Sequence, residues 1–262
     1  TVMCAYPKLN GTHCSDSKEL LTDILRTEWG FDGTVVTDWG AMNDRIEGFR
    51  AGCDLNMPGG SGYMEEAVLA AVKSGALPES AVDNSARRVL KLVFRAAETM
   101  KKESSCDYNA RHALAKEAAE QGAVLLKNED SILPLNENTK IAVIGAMAKE
   151  MRFQGAGSSH INPQKLSQPL DFLPGAVYAP GCDARGDTMD ALIAEAVKTA
   201  QNAEAAVVFA GLPDRYESEG FDRENMKMPE GHVRMLEAAA EANPNTIIVL
   251  LCACVVWRFK GE

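Results

Sequence analysis

The sequence predicts an α/β protein built on mostly parallel strands, and three observations lead there. Short β-branched and apolar runs alternate with amphipathic stretches of helical period, which is the signature of strands joined by helical crossovers. That alternation occurs twice, once near each end of the chain, with a polar stretch between. The composition, 46% hydrophobic and 24% charged over 262 residues, supplies enough apolar side chains for one or two packed cores.

Taken in order, Thr1 to Tyr6 reads as a strand, and Asn10-Gly11 marks a turn. Ser15 is placed to cap a helix through Glu19 and Leu25, which Gly30 ends. The strand Thr34 to Thr37 follows, then a loop carrying Asp38, Trp39 and Gly40, a helix from about Asp44 to Ala51, and a short apolar Cys53-Asp54-Leu55 before Pro58-Gly59-Gly60. Helices are then expected over Met64–Lys73, over Pro78–Phe94 with Val82, Ala86, Val89, Leu90 and Val93 on one face, and over Asn109–Leu126. Lys101 to Ser105 is polar and reads as a linker, so the expected division is 1–100, a connecting segment 101–139, and 140–262. The last part reads as strand Lys140–Gly145, a Gly/Ser loop Gln154–Ser159, strand Ala176–Tyr178, helix Thr188–Asn202, strand Ala205–Ala210, a charged loop Asp214–Arg223, helix Glu230–Ala242 and strand Thr246–Cys252. It has the order of half a doubly wound domain.

Several function classes fall away on composition. With 37 acidic against 27 basic residues the net charge is -10, which repels phosphate backbones and argues against nucleic acid. The longest apolar run, Thr246 to Cys254, has the length of a buried strand and falls far short of the roughly 18 residues that span a bilayer, so no membrane segment is expected. Seven scattered cysteines include no CxxC pair, and the four histidines share no metal-ligand spacing. Buried free thiols in a reducing cytoplasm are the expectation, with Cys252 and Cys254 on one strand face, and with neither metal nor cofactor.

In parallel α/β architectures the loops after the strands gather at one crevice, so the chemistry is sought there. Asp38 follows the strand Thr34–Thr37, beside a Trp39 ring suited to stack on a sugar face; a helix-capping role for Asp38 is the alternative. The loop after Ala205–Ala210 holds Asp214, Arg215, Glu217, Glu219, Asp222, Arg223 and Glu224, with a simple solvated loop as the alternative. Carboxylates on two different segments are what acetal cleavage needs, one as nucleophile or base and one as acid at the leaving oxygen.

At these residues the chain resembles the family 3 glycoside hydrolases, the β-glucosidase and β-xylosidase group. The resemblance is carried by Leu20 through Ala41, which includes Gly33-Thr34-Val35-Val36-Thr37-Asp38-Trp39-Gly40, and by Ala51-Gly52-Cys53-Asp54-Leu55-Asn56-Met57-Pro58-Gly59. Gly122-Ala123-Val124-Leu125-Leu126-Lys127-Asn128, Leu133-Pro134-Leu135 and Glu217-Ser218-Glu219-Gly220-Phe221-Asp222-Arg223-Glu224 continue it in the same order. It implies a (β/α)8 barrel followed by an α/β sandwich, with Asp38 as nucleophile and Glu219 as acid/base, and with Glu217 as the competing acid/base. Met3, Tyr6 and Trp39 would line the sugar subsite, and Ser158 would touch it from a sandwich loop. Thr37 stands where the family usually has Ser.

A whole barrel takes about 250 residues, so the resemblance further implies that only the last three βα units, Thr1 to about Phe94, lie in this chain. The Asp, Arg and Lys-His residues that grip the sugar would lie outside it, and Ala253 to Glu262 departs from the family pattern. The leading reading is a retaining β-glycosidase of weak or absent activity in this form, acting on a terminal β-linked sugar in a small or oligomeric glycoside. A non-catalytic sugar-binding or assembly fragment is the second reading. A nucleotide-binding domain is the third, resting on Gly155 to Ser159, which has neither GxGxxG nor GKS/T form. Unpaired strand edges lead to the expectation of a homo-oligomer, most simply a dimer.

Overall fold

A computed structural model describes residues 1–60, 62–102, 105–220 and 222–252. The sequence readings at Glu103 and Ser104 of the linker, at Phe221, and at Ala253, Cys254 and the residues after them lie outside the described residues. The chain divides into two compact units, Thr1–Cys106 and Asp107–Glu262.

In the first unit, β1 (Val2–Cys4) pairs in parallel with β4 (Val35–Thr37), in the register Val2 to Val35 and Cys4 to Thr37. Leu55 bridges to Val36 on the other side of β4, also in parallel. Val35 is fully buried here because parallel strands under helical crossovers bury both faces. A small antiparallel ribbon, β2 (Lys8–Leu9) and β3 (Thr12–His13), turns at Asn10 and Gly11. Both turn residues have positive φ, 50° and 86°, and Asn-Gly is the pair that tolerates this at least cost.

The helix Glu19–Glu28 is of the wider π type: the Trp29 N–H donates five residues back, to the Ile24 carbonyl (3.0 Å). It buries Leu21 and Leu25. Ser15 does not cap it. Ser15 is buried in a short turn and donates to Asp16 Oδ1 (2.9 Å), while Ser17 Oγ, nearer the first helical residue, accepts from the Leu20 N–H (3.3 Å). Helix α1 (Arg45–Ala51) is capped by Asp44, whose Oδ1 accepts from the N–H groups of Ile46 and Glu47.

Helices α2 (Tyr63–Lys73) and α3 (Glu79–Met100) follow, and α3 runs six residues beyond the expected Phe94. Its packed side also differs from expectation. Ser85 is buried and Val82 and Val89 half-buried, whereas Ala86, Leu90 and Val93 are exposed. The packing side of α3 is set where Thr34 Oγ1 donates to the Arg88 carbonyl (3.1 Å), and Ala86, Leu90 and Val93 lie around the helix from it.

In the second unit α4 (Tyr108–Gly122) stops four residues short of the expected Leu126. Gly122 is a poor helix residue and Val124 is β-branched, so Ala123 turns to extended backbone, with Val124, Leu125 and Leu126 exposed. Beyond it lies a four-stranded parallel sheet of β5 (Ile141–Ile144), β6 (Val177–Ala179), β7 (Ala205–Gly211) and β8 (Thr246–Leu251), in the order β6-β5-β7-β8.

Small residues on one sheet face, Ala142, Ala206 and Ala210, let α5 (Asp190–Gln201) and α6 (Glu230–Ala242) approach closely through Ala196, Ala200, Met235 and Ala239. The opposite face carries Val143, Val207 and Phe209, packed under Met147, Leu170 and Leu173 from the β5–β6 connection. The two layers thus differ, one helical and one irregular, and connections leave β5 and β7 toward opposite edges of the sheet. That is a topological switch point, where ligands of open α/β sheets settle.

The thiols divide. Cys4, Cys53 and Cys182 are buried, as expected, but Cys106 and Cys252 are exposed. Cys252 follows the last residue of β8, past the point where the sheet covers the strand.

Candidate functional site

In the first unit the Asp38 carboxylate stands at the C-terminal end of β4. Its backbone is fixed from two sides, since the Asp38 N–H donates to the Cys4 carbonyl (3.0 Å) and its carbonyl accepts from Ala41 (3.0 Å). The carboxylate is half-buried, and Oδ1 accepts from the adjacent Trp39 N–H (2.6 Å). Asp44 performs the helix capping, so Asp38 is not consumed by that role.

Beside it Tyr6 donates its hydroxyl to the Trp39 carbonyl (2.6 Å), and Met3, Tyr6 and Trp39 all leave more than half of their surface open. Exposed aromatic side chains at the end of a strand that carries a carboxylate are of the kind that stack against a sugar ring. Thr37 keeps the use of its hydroxyl: Oγ1 accepts from the Met57 N–H (2.8 Å) and ties the Met57-Pro58-Gly59 loop to the end of β4.

Beneath this loop lies a charged cluster that sequence reasoning missed. Asp54, 3% exposed, accepts from Arg26 Nη2 (2.8 Å), from Arg88 Nη1 (2.9 Å) and from the Val35 N–H (2.8 Å). Arg45 caps the neighbouring carbonyls of Cys53 (3.0 Å) and Asp54 (2.8 Å). Burial lowers the Arg26 guanidinium pKa, and the Asp54 charge counters it. The signal that would have found this cluster is a lone acid inside the apolar Cys53-Asp54-Leu55, which needs a cationic partner to be buried.

In the second unit the connections after β5 and β7 border a cavity of about 650 Å³, lined among others by Met147, Arg152, Phe153, His160, Asp214 and Arg215. It sits at the switch point of the sheet. Two glutamates of the β7 loop behave differently. The Glu217 carboxylate is 15% exposed and accepts from Arg152 Nη1 (2.5 Å), and its carbonyl accepts from Arg152 Nη2 (2.7 Å). Glu219 is exposed, and its Oε2 accepts from the Ser158 N–H. The backbone and side chain of Ser158 hold its carboxyl below the usual range. Glu217 is thus tied by a guanidinium, whereas Glu219 rests on a loop N–H with its side chain exposed. Among the described residues, no group of three or more His, Cys, Asp or Glu is placed to hold a metal.

His232 of α6 sits 1% exposed under the exit of β7, its Nδ1 against the Gly211 backbone (2.9 Å to the carbonyl, 3.2 Å to the nitrogen). Burial lowers its pKa below the ordinary 6.5. Below about pH 6.5 the unfolded chain binds a proton that the folded one refuses, so the contribution to stability is present above that pH and is lost on acidification. Thermal melts at pH 7.5 and 5.5 are expected to show a larger drop for the unaltered chain than for His232→Gln; equal drops would refute the assignment.

The family model described as glycosyl hydrolase family 3 N terminal domain matches residues 1–92, and that described as glycosyl hydrolase family 3 C-terminal domain matches residues 123–258. The chain is 48% identical over 258 residues to the thermostable beta-glucosidase B of Acetivibrio thermocellus, covering 95% of this chain and 34% of that protein. It is 41% identical over 271 residues to the exo-alpha-(1->6)-L-arabinopyranosidase of Bifidobacterium longum, covering 98% of this chain and 36% of that protein. Among solved structures, the GH3 beta-glucosidase of Bifidobacterium adolescentis matches with a TM-score of 0.88 and 41% identity, over 97% of this chain and 38% of that one. DesR, a beta-glucosidase from Streptomyces venezuelae in complex with D-glucose, matches with a TM-score of 0.85 and 27% identity, over 97% of this chain and 48% of that one. The chain thus spans about a third of the length of these two curated relatives.

Proposed function

The chain belongs to glycosyl hydrolase family 3, and we propose that it carries the catalytic carboxylates of a retaining glycoside hydrolase acting on terminal β-linked sugars. In this reading unit one is the last part of a (β/α)8 barrel and unit two is part of an α/β sandwich domain. Asp38 attacks the anomeric carbon, the bond to the leaving oxygen breaks as Glu219 gives that oxygen a proton, and a glycosyl ester forms on Asp38. Glu219, now a base, takes a proton from water, which cleaves the ester with net retention.

The observation that carries the reading is the strand-end Asp38, half-buried, next to a Trp39 whose backbone the Tyr6 hydroxyl meets, and free of the capping role that Asp44 fills. Glu219 is favoured over Glu217 as acid/base because Arg152 ties both the carboxylate and the carbonyl of Glu217 into the base of the loop, whereas the Glu219 side chain stands exposed. The Ser158 contacts favour the ionised Glu219 of the second step, so the first step requires the substrate to displace them.

A panel of nitrophenyl glycosides tests the activity: β-glucoside, β-xyloside and, because one relative is an arabinopyranosidase, α-L-arabinopyranoside. Turnover with the first-formed sugar of retained configuration by NMR is expected; an inverted first product overturns the mechanism. Should no glycoside turn over while glucose binds by calorimetry, the non-catalytic sugar-binding reading stands instead.

The division of labour makes a separate prediction. Glu219→Ala is expected to lose activity by about 10²–10⁴-fold on substrates with poor leaving groups, and far less on nitrophenyl glycosides, whose leaving group needs little protonation. Azide should restore its turnover and give a glycosyl azide of retained configuration. If Glu217→Ala shows this pattern and Glu219→Ala does not, the acid/base is Glu217.

A further inference from the structure

Two connections of the second unit, the segment after β5 and the loop after β7, are fastened to each other at two places. At the first, one guanidinium spans the base of the loop. Arg152, with a side chain 14% exposed, donates from Nη1 to the Leu212 carbonyl (2.9 Å) and to Glu217 Oε2 (2.5 Å), and from Nη2 to the Glu217 carbonyl (2.7 Å). Its Nε lies 3.1 Å from Asp214 Oδ1. The planar fork thereby holds the loop by hydrogen bonds at residues 212 and 217, two residues before Glu219, with the Asp214 charge alongside. At the second place the Ser158 N–H meets Glu219 Oε2.

That second meeting depends on the residue before it. Gly157 has φ +79°, and a Cβ built there would stand 2.7 Å from Glu219 Cβ and closer still to Oε2. Real Cβ atoms do not approach so closely, and the contact at Glu219 Cβ lies next to the loop backbone, where a side-chain rotation gives no relief. The absent side chain is therefore the space that Glu219 occupies.

We propose that Arg152 and Gly157 are the positioning residues for Glu219, Arg152 by clamping the loop on which it stands and Gly157 by leaving the room in which its carboxylate folds onto the Ser158 N–H. The proposal rests on the reading of Glu219 as acid/base and deepens it. Glu217 then belongs to the clamp. Without either grip an exposed glutamate on a charged loop would spread over several rotamers, and the share of molecules with the carboxylate in place would fall.

The Ser158 amide reports this directly and needs no turnover. In the full chain, labelled with 15N, its NMR signal is expected to shift with pH as Glu219 titrates, and Glu219→Gln should abolish that shift. Arg152→Met and Gly157→Ala should each cut its amplitude at least twofold and move its midpoint up toward the ordinary glutamate value of about 4.3, with Arg152→Lys between. Gly157→Asn separates the two properties of the glycine, because Asn tolerates positive φ yet still carries a Cβ; it should behave as Gly157→Ala, and it carries the test if Arg152→Met fails to fold. A Ser158 amide that titrates as in the unaltered chain in the folded Gly157 variants, or no titration at all in the unaltered chain, overturns the proposal. An inactive chain with the expected titration would instead count against the proposed hydrolase activity and leave the positioning intact.

Discussion

Asp54→Ala is expected to destabilise the first unit by about 3–5 kcal/mol, the usual cost of removing one partner from a buried ion pair. The loss is large because three donors depend on one carboxylate. Arg26 and Arg88 would be left facing each other with no intervening charge, and the N–H of the fully buried Val35 would lose its acceptor. Against a typical total of about 5–15 kcal/mol, such a loss leaves the unit barely folded. Urea unfolding followed by tryptophan fluorescence, with Trp29 and Trp39 both in this unit, measures it. Asp54→Asn keeps an acceptor for Val35 and should cost less than Asp54→Ala, and a change below about 1 kcal/mol for Asp54→Ala would show that the cluster is not holding β4.

Asp38→Ala is expected to remove turnover by about 10⁴-fold or more, since the ester cannot form without its nucleophile. Stability should barely change, because the Asp38 carboxylate is only half-buried and accepts from the adjacent Trp39 N–H, a contact that bridges no other element. The combination distinguishes a catalytic residue from a structural one. Azide sharpens the distinction further: in Asp38→Ala it would attack the sugar directly and give a glycosyl azide of inverted configuration, opposite to the product expected of Glu219→Ala. Loss of activity together with loss of folding would place Asp38 in the structure instead of the chemistry.

Much of this protein was legible in the order of its residues. The parallel strands and their crossovers follow from the alternation of apolar runs and helical periods, because a strand buried on both faces has to be apolar throughout, as Ala205 to Gly211 is. The turn at Asn10 and Gly11 follows from backbone sterics alone, and the placement of Asp38 and Glu219 on loops after strands follows from that strand order. Short-range rules answer such questions since each depends on neighbours a few residues away.

Long-range geometry decided the rest. Nothing local distinguishes Glu217 from Glu219 in Glu217-Ser218-Glu219; the difference lies in Arg152, 65 residues earlier in the chain, which binds the first, and in Gly157 and Ser158, which receive the second. The charge on Asp54 inside an apolar run finds its reason only when Arg26 and Arg88 meet it from two helices. In α3 the apolar residues Ala86, Leu90 and Val93 fit a helical stripe as well as Val82 and Val89 do, and only the contact of Thr34 with Arg88 shows which side is packed. Sequence by itself determined which elements form and in what order, because propensity and periodicity are local; which carboxylate is paired with a guanidinium and which with a loop N–H was decided by tertiary structure, because a charge acquires its partners only by folding.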